Sequence, residues 1–387
     1  MKAWWMVLLA ALPLAACEDV FGSDDNDGDD GGAVYTMNNA ASANYILVYD
    51  RDDDGSLTRM DSVSAGGQGS GPHPVFGTDP LESQDALILS DDNRWLFAVN
   101  AGSNSVSSFR VDDEGSITRV STVSSGGTMP VSLAARGNVL YVVNAMGGGS
   151  VSGFRVGTDG TLTALAGSTR ALSGAAMPGP GSIRISPDGR TMVVTEKPTN
   201  RLVLYGLGTD GIPTSGPTVV SSPGPTPFGA DFDMSGRYIL SIGNIGPNRA
   251  AVPDGSAAGS LTFPTSTAAT VISGSVPTTE TAACWVQITP DGRFAYTTNT
   301  GSGSITGYSI GGTGALTRLT ADGRTGDTGM NSMPLDMAYA DGYLYALTSG
   351  DRGIDVFRVN TDGSLTAMAS AGVMNVFPVS VTGLAAF

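Results

Sequence analysis

Asp159-Gly160-Thr161-Leu162-Thr163 decides the fold of this chain, because the same five-residue pattern returns along its length. It stands earlier as Asp54-Gly55-Ser56-Leu57-Thr58 and Glu114-Gly115-Ser116-Ile117-Thr118, and last as Asp362-Gly363-Ser364-Leu365-Thr366. Between these come Asp210-Gly211-Ile212, Gly259-Ser260-Leu261-Thr262 and Gly314-Ala315-Leu316-Thr317. Asp-Gly supplies the positive φ of a tight hairpin, and the branched or Leu residue after it starts the next strand. A second turn, Ser186-Pro187-Asp188-Gly189-Arg190, recurs as Thr289-Pro290-Asp291-Gly292-Arg293, with looser copies at Ser90 to Arg94 and Asp233 to Arg237. Short apolar strands follow these turns, for example Trp95 to Val99, Thr191 to Thr195 and Phe294 to Thr298.

Seven copies at spacings of 45 to 60 residues predict radial repetition with four strands to a unit. The expected fold is therefore all-β, a seven-bladed propeller spanning residues 32–387. Its ends predict how the ring closes. Val379-Ser380-Val381-Thr382-Gly383-Leu384-Ala385-Ala386 reads as an inner strand with no blade of its own, and Val34-Tyr35-Thr36-Met37 as a second strand lacking an inner one. Pairing them completes a blade and hides two open edges.

The first 31 residues read differently. Lys2 and the apolar run Ala3 to Leu14 form a segment too short to span a bilayer, and Leu14-Ala15-Ala16-Cys17 has the form of a lipoprotein cleavage site. Residues 1–16 are the expected signal peptide. Cys17 is the expected lipid anchor, its several acyl chains giving lasting attachment. Glu18 to Asp30 holds seven acids among Gly, Ser and Asn, the composition of a solvated tether through residue 31. The chain is thus expected on the outer side of a bacterial envelope membrane. With 36 acidic against 20 basic residues its net charge is −16, which repels phosphate backbones and argues against a nucleic-acid partner.

The order of Ser-Pro-Asp-Gly-Arg turns, strand-end Asn residues and Asp-Gly-Ser-Leu hairpins resembles the seven-bladed lactonase family, which includes bacterial 6-phosphogluconolactonase propellers and carboxymuconate cyclases. The resemblance runs from about Gly32 to Phe387. It implies a site at the channel mouth, but the residues depart from the family's pattern there. The family's Arg and His entering a middle inner strand are answered by Gly181 and Ser182. Its Glu in the next blade falls on Gly229, and two further Arg on Asn244 and Cys284. Glu196 still matches and is the catalytic candidate, while Arg184 and Arg249 are possible substitutes for the lost cations.

A lactone hydrolase needs a general acid/base and a cation for the developing oxyanion, and most of those groups are missing. The residues entering the inner strands make a largely apolar ring in which Gln84, Asp85, Ser182, Asn244 and Trp285 are the candidate ligand-binding groups. The single histidine, His73, lies in an insertion between the first two blades; it reads as an exposed loop residue, or as a base lowered over the mouth. Asp50-x-Asp52-x-Asp54-Gly55 with Asp61 follows the order of a calcium loop, yet it contains this blade's copy of the hairpin signature. One His and one buried Cys cannot build a nitrogen–sulfur metal site, so neither metal nor cofactor is expected. Asn38, Asn100, Asn144 and Asn299 end equivalent strands and are expected to brace the turns that follow.

Two classes of function stand. The favoured one is a non-catalytic, membrane-anchored propeller binding a small ligand, a glycan or an envelope protein at its channel mouth. The alternative is an extracytoplasmic hydrolase of lactone esters rebuilt around Glu196.

Overall fold

Each Asp-Gly pair closes a hairpin by the same local bonds. In the copy at 157–161, Gly160 N donates to Gly157 O at 2.9 Å, and Thr161 N and Oγ1 both donate to Asp159 Oδ1, at 3.1 and 2.7 Å. The bond from the Thr161 hydroxyl holds the Asp159 carboxyl below its ordinary range. The Ser-Pro-Asp-Gly-Arg turn closes just as locally. Ser186 Oγ donates to Asp188 Oδ1 at 2.6 Å and accepts from Thr191 N at 2.9 Å.

In the computed structural model these turns organise seven antiparallel sheets. It describes Met1 and residues 31–73, 79–246, 251–368, 372–373, 377–378 and 380–387. The expected cleavage site, Cys17, the acidic tether, Arg249 and Val379 lie outside those residues. Gly31 to Phe387 form one compact unit.

The inner strands are Thr382–Ala386 for blade 1, then Leu87–Leu89, Pro130–Arg136, Pro180–Ile185, Pro227–Phe232, Ala283–Ile288 and Pro334–Ala340 for blades 2 to 7. In every blade the remaining strands step outward in chain order, and each sheet has at least four strands. The terminal segments pair as the sequence predicts, with Val34 opposite Ala386 and Tyr35 opposite Ala385. Arg51, buried in blade 1, reinforces this closure. Its Nε donates to Phe387 O at 3.0 Å, and its guanidinium pairs with Asp341 of blade 7.

The hairpin glycines also join blade to blade. Tyr35 OH donates to Gly115 O, Tyr141 OH to Gly211 O, Tyr296 OH to Gly363 O and Tyr345 OH to Gly55 O, at 2.7 to 3.2 Å. Ser108 Oγ and Ser260 Oγ make the same bond to Gly160 O and Gly314 O, both at 2.7 Å. Each blade thus latches the hairpin of the next.

Blade 5 departs from the sequence reading. Gly259 to Thr262 lies inside the strand Ala257–Thr265, and the hairpin falls at 265–268, where Thr265 pairs with Ala268. Gly259 serves close approach there, not a turn: an added Cβ would stand 2.5 Å from Gly274 O. The latch to this hairpin becomes a Ser215–Ser266 hydroxyl contact at 3.3 Å.

Candidate functional site

The inner strands begin at one end of the channel, and there the chain fills its own mouth. The insertion between blades 1 and 2 ends in Glu82-Ser83-Gln84-Asp85, which reaches five blades. Ser83 Oγ donates to Val131 O at 2.8 Å, and Gln84 N to Gly181 O at 2.8 Å. The Gln84 amide then crosses to blades 5 and 6. Its Nε2 donates to Val286 O at 2.9 Å and Ala230 O at 3.3 Å, and its Oε1 accepts from Val286 N at 2.9 Å. Trp285 stacks obliquely on Phe228, with ring centroids 5.0 Å apart, and donates its indole N–H to Ser83 O at 3.1 Å.

Above this segment Lys197 Nζ donates to Glu82 O, lies 3.7 Å from the Glu82 carboxylate and sits 4.5 Å over the Phe228 ring. His73 Nε2 lies 3.5 Å from the other Glu82 oxygen. Its side chain is only 13 % exposed, so His73 is part of the mouth and not the exposed loop residue that composition suggests. Burial pulls the Lys197 amine down to about 8 and pushes the Cys284 thiol up to about 12, leaving that thiol a poor nucleophile.

Beneath the segment lies a charged cluster in which Asp85 and Asp336 are buried and Arg184 and Asp231 half-buried. Asp85 Oδ1 is 3.0 Å from Arg184 Nη2, and Asp231 Oδ1 is 3.6 Å from Arg184 Nε, which also donates to Ala230 O at 2.9 Å. Asp336 accepts from Met337 N at 3.1 Å and from Asp85 N at 3.4 Å. Asp85 Oδ2 and Tyr238 OH are buried without a hydrogen-bond partner. Burial raises Asp85, Asp231 and Asp336, the last to about 7, against the opposing pull of Arg184.

The residues expected from sequence are thus separated into four places. Gln84, Asp85 and Trp285 come together, but as parts of a closed mouth: the Gln84 amide and the Trp285 indole already bond to the chain itself. The ring around them is largely apolar, as expected, with Phe228, Cys284, Trp285 and Leu335 packed in one cluster. Ser182 follows Gly181 on the blade 4 inner strand, fully buried, with no partner for its hydroxyl. Asn244 sits on the loop after the second strand of blade 5 and donates to Gly255 O at 2.9 Å.

Glu196 is placed elsewhere again. Its fully buried carboxylate accepts from Ser173 N at 2.9 Å, Ser173 Oγ at 2.7 Å and Thr199 Oγ1 at 2.8 Å. It ends the second strand of blade 4 where Asn100, Asn144 and Asn299 end theirs, and those side chains brace neighbouring segments in the same way. Lys197, Glu82, Asp231 and Asp336 were not singled out from the sequence. The available signal was register, since Asp336 holds the inner-strand place of Ser182, Gly229 and Trp285.

No group of three or more His, Cys, Asp or Glu among the described residues could hold a metal ion. A cavity of about 620 Å³ lies at the opposite end, where the Ser-Pro-Asp-Gly-Arg turns emerge. It is lined by Asp91, Arg136, Asn138, Ile185, Pro187 and Arg190 from blades 2, 3 and 4.

The seven four-stranded blades make this chain a seven-bladed propeller, and comparison with known proteins agrees. The sequence model of the family "Lactonase, 7-bladed beta-propeller" matches residues 77–382, and the chain belongs to that family. Among solved structures it is similar to a candidate 6-phosphogluconolactonase of Bacteroides fragilis, at 19 % identity and a TM-score of 0.69, covering 94 % of this chain and all of that one. The periplasmic gluconolactonase of Pseudomonas aeruginosa gives 18 % identity and a TM-score of 0.64, with 90 % of this chain and 96 % of that one covered. At these identities the likeness is one of fold. No protein of curated function matches the chain.

Proposed function

We propose that this chain is a lipid-anchored envelope propeller that binds a ligand or protein partner without hydrolysing lactones. The observation that carries the reading is Gln84, whose amide bridges blades 5 and 6 across the position a lactone would enter. Gly229 supports it. It stands where the family places Glu, and an added Cβ there would lie 2.1 Å from Gln84 Oε1. Glu196, the remaining match, spends its carboxylate on Ser173 and Thr199. A ligand entering from outside has the 620 Å³ cavity at the turn end, within the volume range of small-molecule sites.

Anchoring rests on Cys17, which ends the Leu14-Ala15-Ala16-Cys17 cleavage pattern. The deciding experiment is a pH-stat or hydroxamate assay across 6-phosphogluconolactone and simple sugar and aliphatic lactones. Wild type is expected to match the uncatalysed rate. Turnover that disappears in Glu196→Gln would establish the hydrolase reading instead.

A further inference from the structure

We propose that residues 82–85 are a proton-linked stopper, seated in the channel mouth at acid pH and released as the carboxylates beneath it ionise. The inference rests on the reading of a closed mouth and adds what regulates it. Its basis is the charge count around Arg184. One guanidinium faces Asp85 from the stopper, Asp231 from blade 5 and Asp336 from blade 7, with the Tyr238 hydroxyl beside them. If all three carboxylates were ionised, the cluster would carry a net charge of −2 (one positive against three negative). A proton on Asp85 or Asp336 relieves that, and Asp85 Oδ2 is buried with no bond to lose. Asp85 also holds a φ of +65°, in the left-handed region.

The direction follows from linkage. Burial lifts Asp336 to about 7 when the stopper is seated, and it lifts Asp85 as well. An open mouth returns both groups to water and to the ordinary carboxylate range. The seated form therefore binds more protons, so it is favoured below the ordinary carboxylate value and loses that advantage as pH rises through about 7. For Asp336 alone the open-to-seated ratio rises on the order of a hundredfold between pH 5 and 8.

The groups on the upper side act in other windows. Burial lowers Lys197 to about 8, so seating sheds its proton above that pH and favours closure there. His73 faces the Glu82 carboxylate at 3.5 Å on this side. Asp79 faces Lys197 and Cys284, and Cys284 stays a thiol throughout. An ordinary histidine range falls between pH 5 and 8, so the carboxylate variants, and not the pH range, isolate the carboxylates.

Cys284, buried in the mouth beside Trp285, whose indole bonds Ser83 of the stopper, provides the readout. Labelling of the intact protein by a thiol reagent is followed on the Cys284 peptide by mass spectrometry. The rate is divided by that of the denatured chain at the same pH, which removes the intrinsic pH dependence of the thiol. Protection of Cys284 in wild type should fall by tens to a hundredfold from pH 5 to 8. Asp336→Asn should hold protection nearly constant, with Asp85→Asn as the second carboxylate variant. Gln84→Ala, which removes the bridge to blades 5 and 6, should lower protection at both pH values.

Equal wild-type protection at pH 5 and 8 would overturn the proposal, as would carboxylate variants that follow wild type. So would labelling that tracks amide exchange of the core strand Val139–Asn144, because exposure would then be unfolding of the ring. Lactone turnover measured in parallel at pH 8 keeps the two readings apart. Turnover there defeats the binding assignment and leaves the stopper standing, whereas pH-independent protection does the reverse.

Discussion

Replacing Gly160 by Ala tests whether the recurring hairpin glycine is required for its turn or for the joint between blades. Gly160 has a φ of +81°, and a Cβ added there would stand 2.2 Å from Trp95 Cζ3 and 2.5 Å from Cε3 of the preceding blade. Trp95 is buried, and its backbone is pinned by a 3.0 Å bond from its N–H to Ser90 Oγ, so the ring has little freedom to retreat. Left-handed backbone costs an Ala about 1–2 kcal/mol, partly offset by about 0.4–1 kcal/mol from a less flexible unfolded chain. The clash with an aromatic ring adds about 1–3 kcal/mol. The sum is about 1–5 kcal/mol, centred near 3. With an unfolding entropy near 2.1 cal/mol/K per residue over roughly 350 residues, the central value lowers Tm by about 4 °C. Gly189 is the control: its φ is +71°, but an added Cβ meets nothing within 4 Å. Gly189→Ala should therefore lower Tm by only about 1 °C. Thermal melts followed by circular dichroism make the comparison. Equal shifts for the two variants would refute the claim that the hairpin glycine is a joint as well as a turn.

Two further outcomes are expected. Cys17→Ser should abolish acylation and membrane retention, and fractionation that finds processed Cys17→Ser protein in the membrane pellet would rule out anchoring through that thiol. Gly229→Ala should destabilise by about 3 kcal/mol through contacts with Gln84 Oε1, Cys284 O and Trp285 Cα. Combining it with Gln84→Ala removes the shortest of those contacts, so a double-mutant cycle by denaturant titration should show about 1 kcal/mol of relief. Strict additivity would mean that Gln84 does not occupy the space beside Gly229.

The ring was legible because its determinants are local. Asp159 and Ser186 each organise a turn through bonds to residues two to five positions away, so their pattern survives in sequence as a motif. Closure was legible by subtraction, since Val34 to Met37 and the last residues each lacked a partner of their own. The mouth was not legible, because its contacts are long-range: Gln84 bonds Val286, Trp285 bonds Ser83, and Arg184 gathers acids from the stopper and two other blades. Nothing in the local sequence of Asp231 or Asp336 reports that they face one guanidinium. Glu196 shows a different difficulty. Its match to the family's pattern pointed to chemistry, whereas its place in the series Asn100, Asn144, Asn299 pointed to bracing. Only the bonds to Ser173 and Thr199 separate the two. Gly259 misled for a related reason, since a glycine needed for close approach looks the same in sequence as one needed for a turn.

The closed mouth and the missing charged residues have a common physical cause. At Gly229 any side chain would meet Gln84 Oε1 at 2.1 Å, and at Gly181 an added Cβ would stand 2.8 Å from Phe228 O and 3.0 Å from Thr195 Oγ1. Gly181 O also receives the backbone N–H of Gln84, so the chain at 84 lies directly on that strand. Of the two positions where the family carries Glu and Arg, Gly229 is the one that this stopper requires to be bare. A side chain there and a seated Gln84 exclude each other, whereas one at Gly181 would press on Phe228 and Thr195 of the ring itself. The polar groups that replace the family's set lie below the stopper, around Arg184, or above it, around Lys197. In both places they bond to the stopper and to one another, so the charge of the channel now serves to hold a segment of the chain.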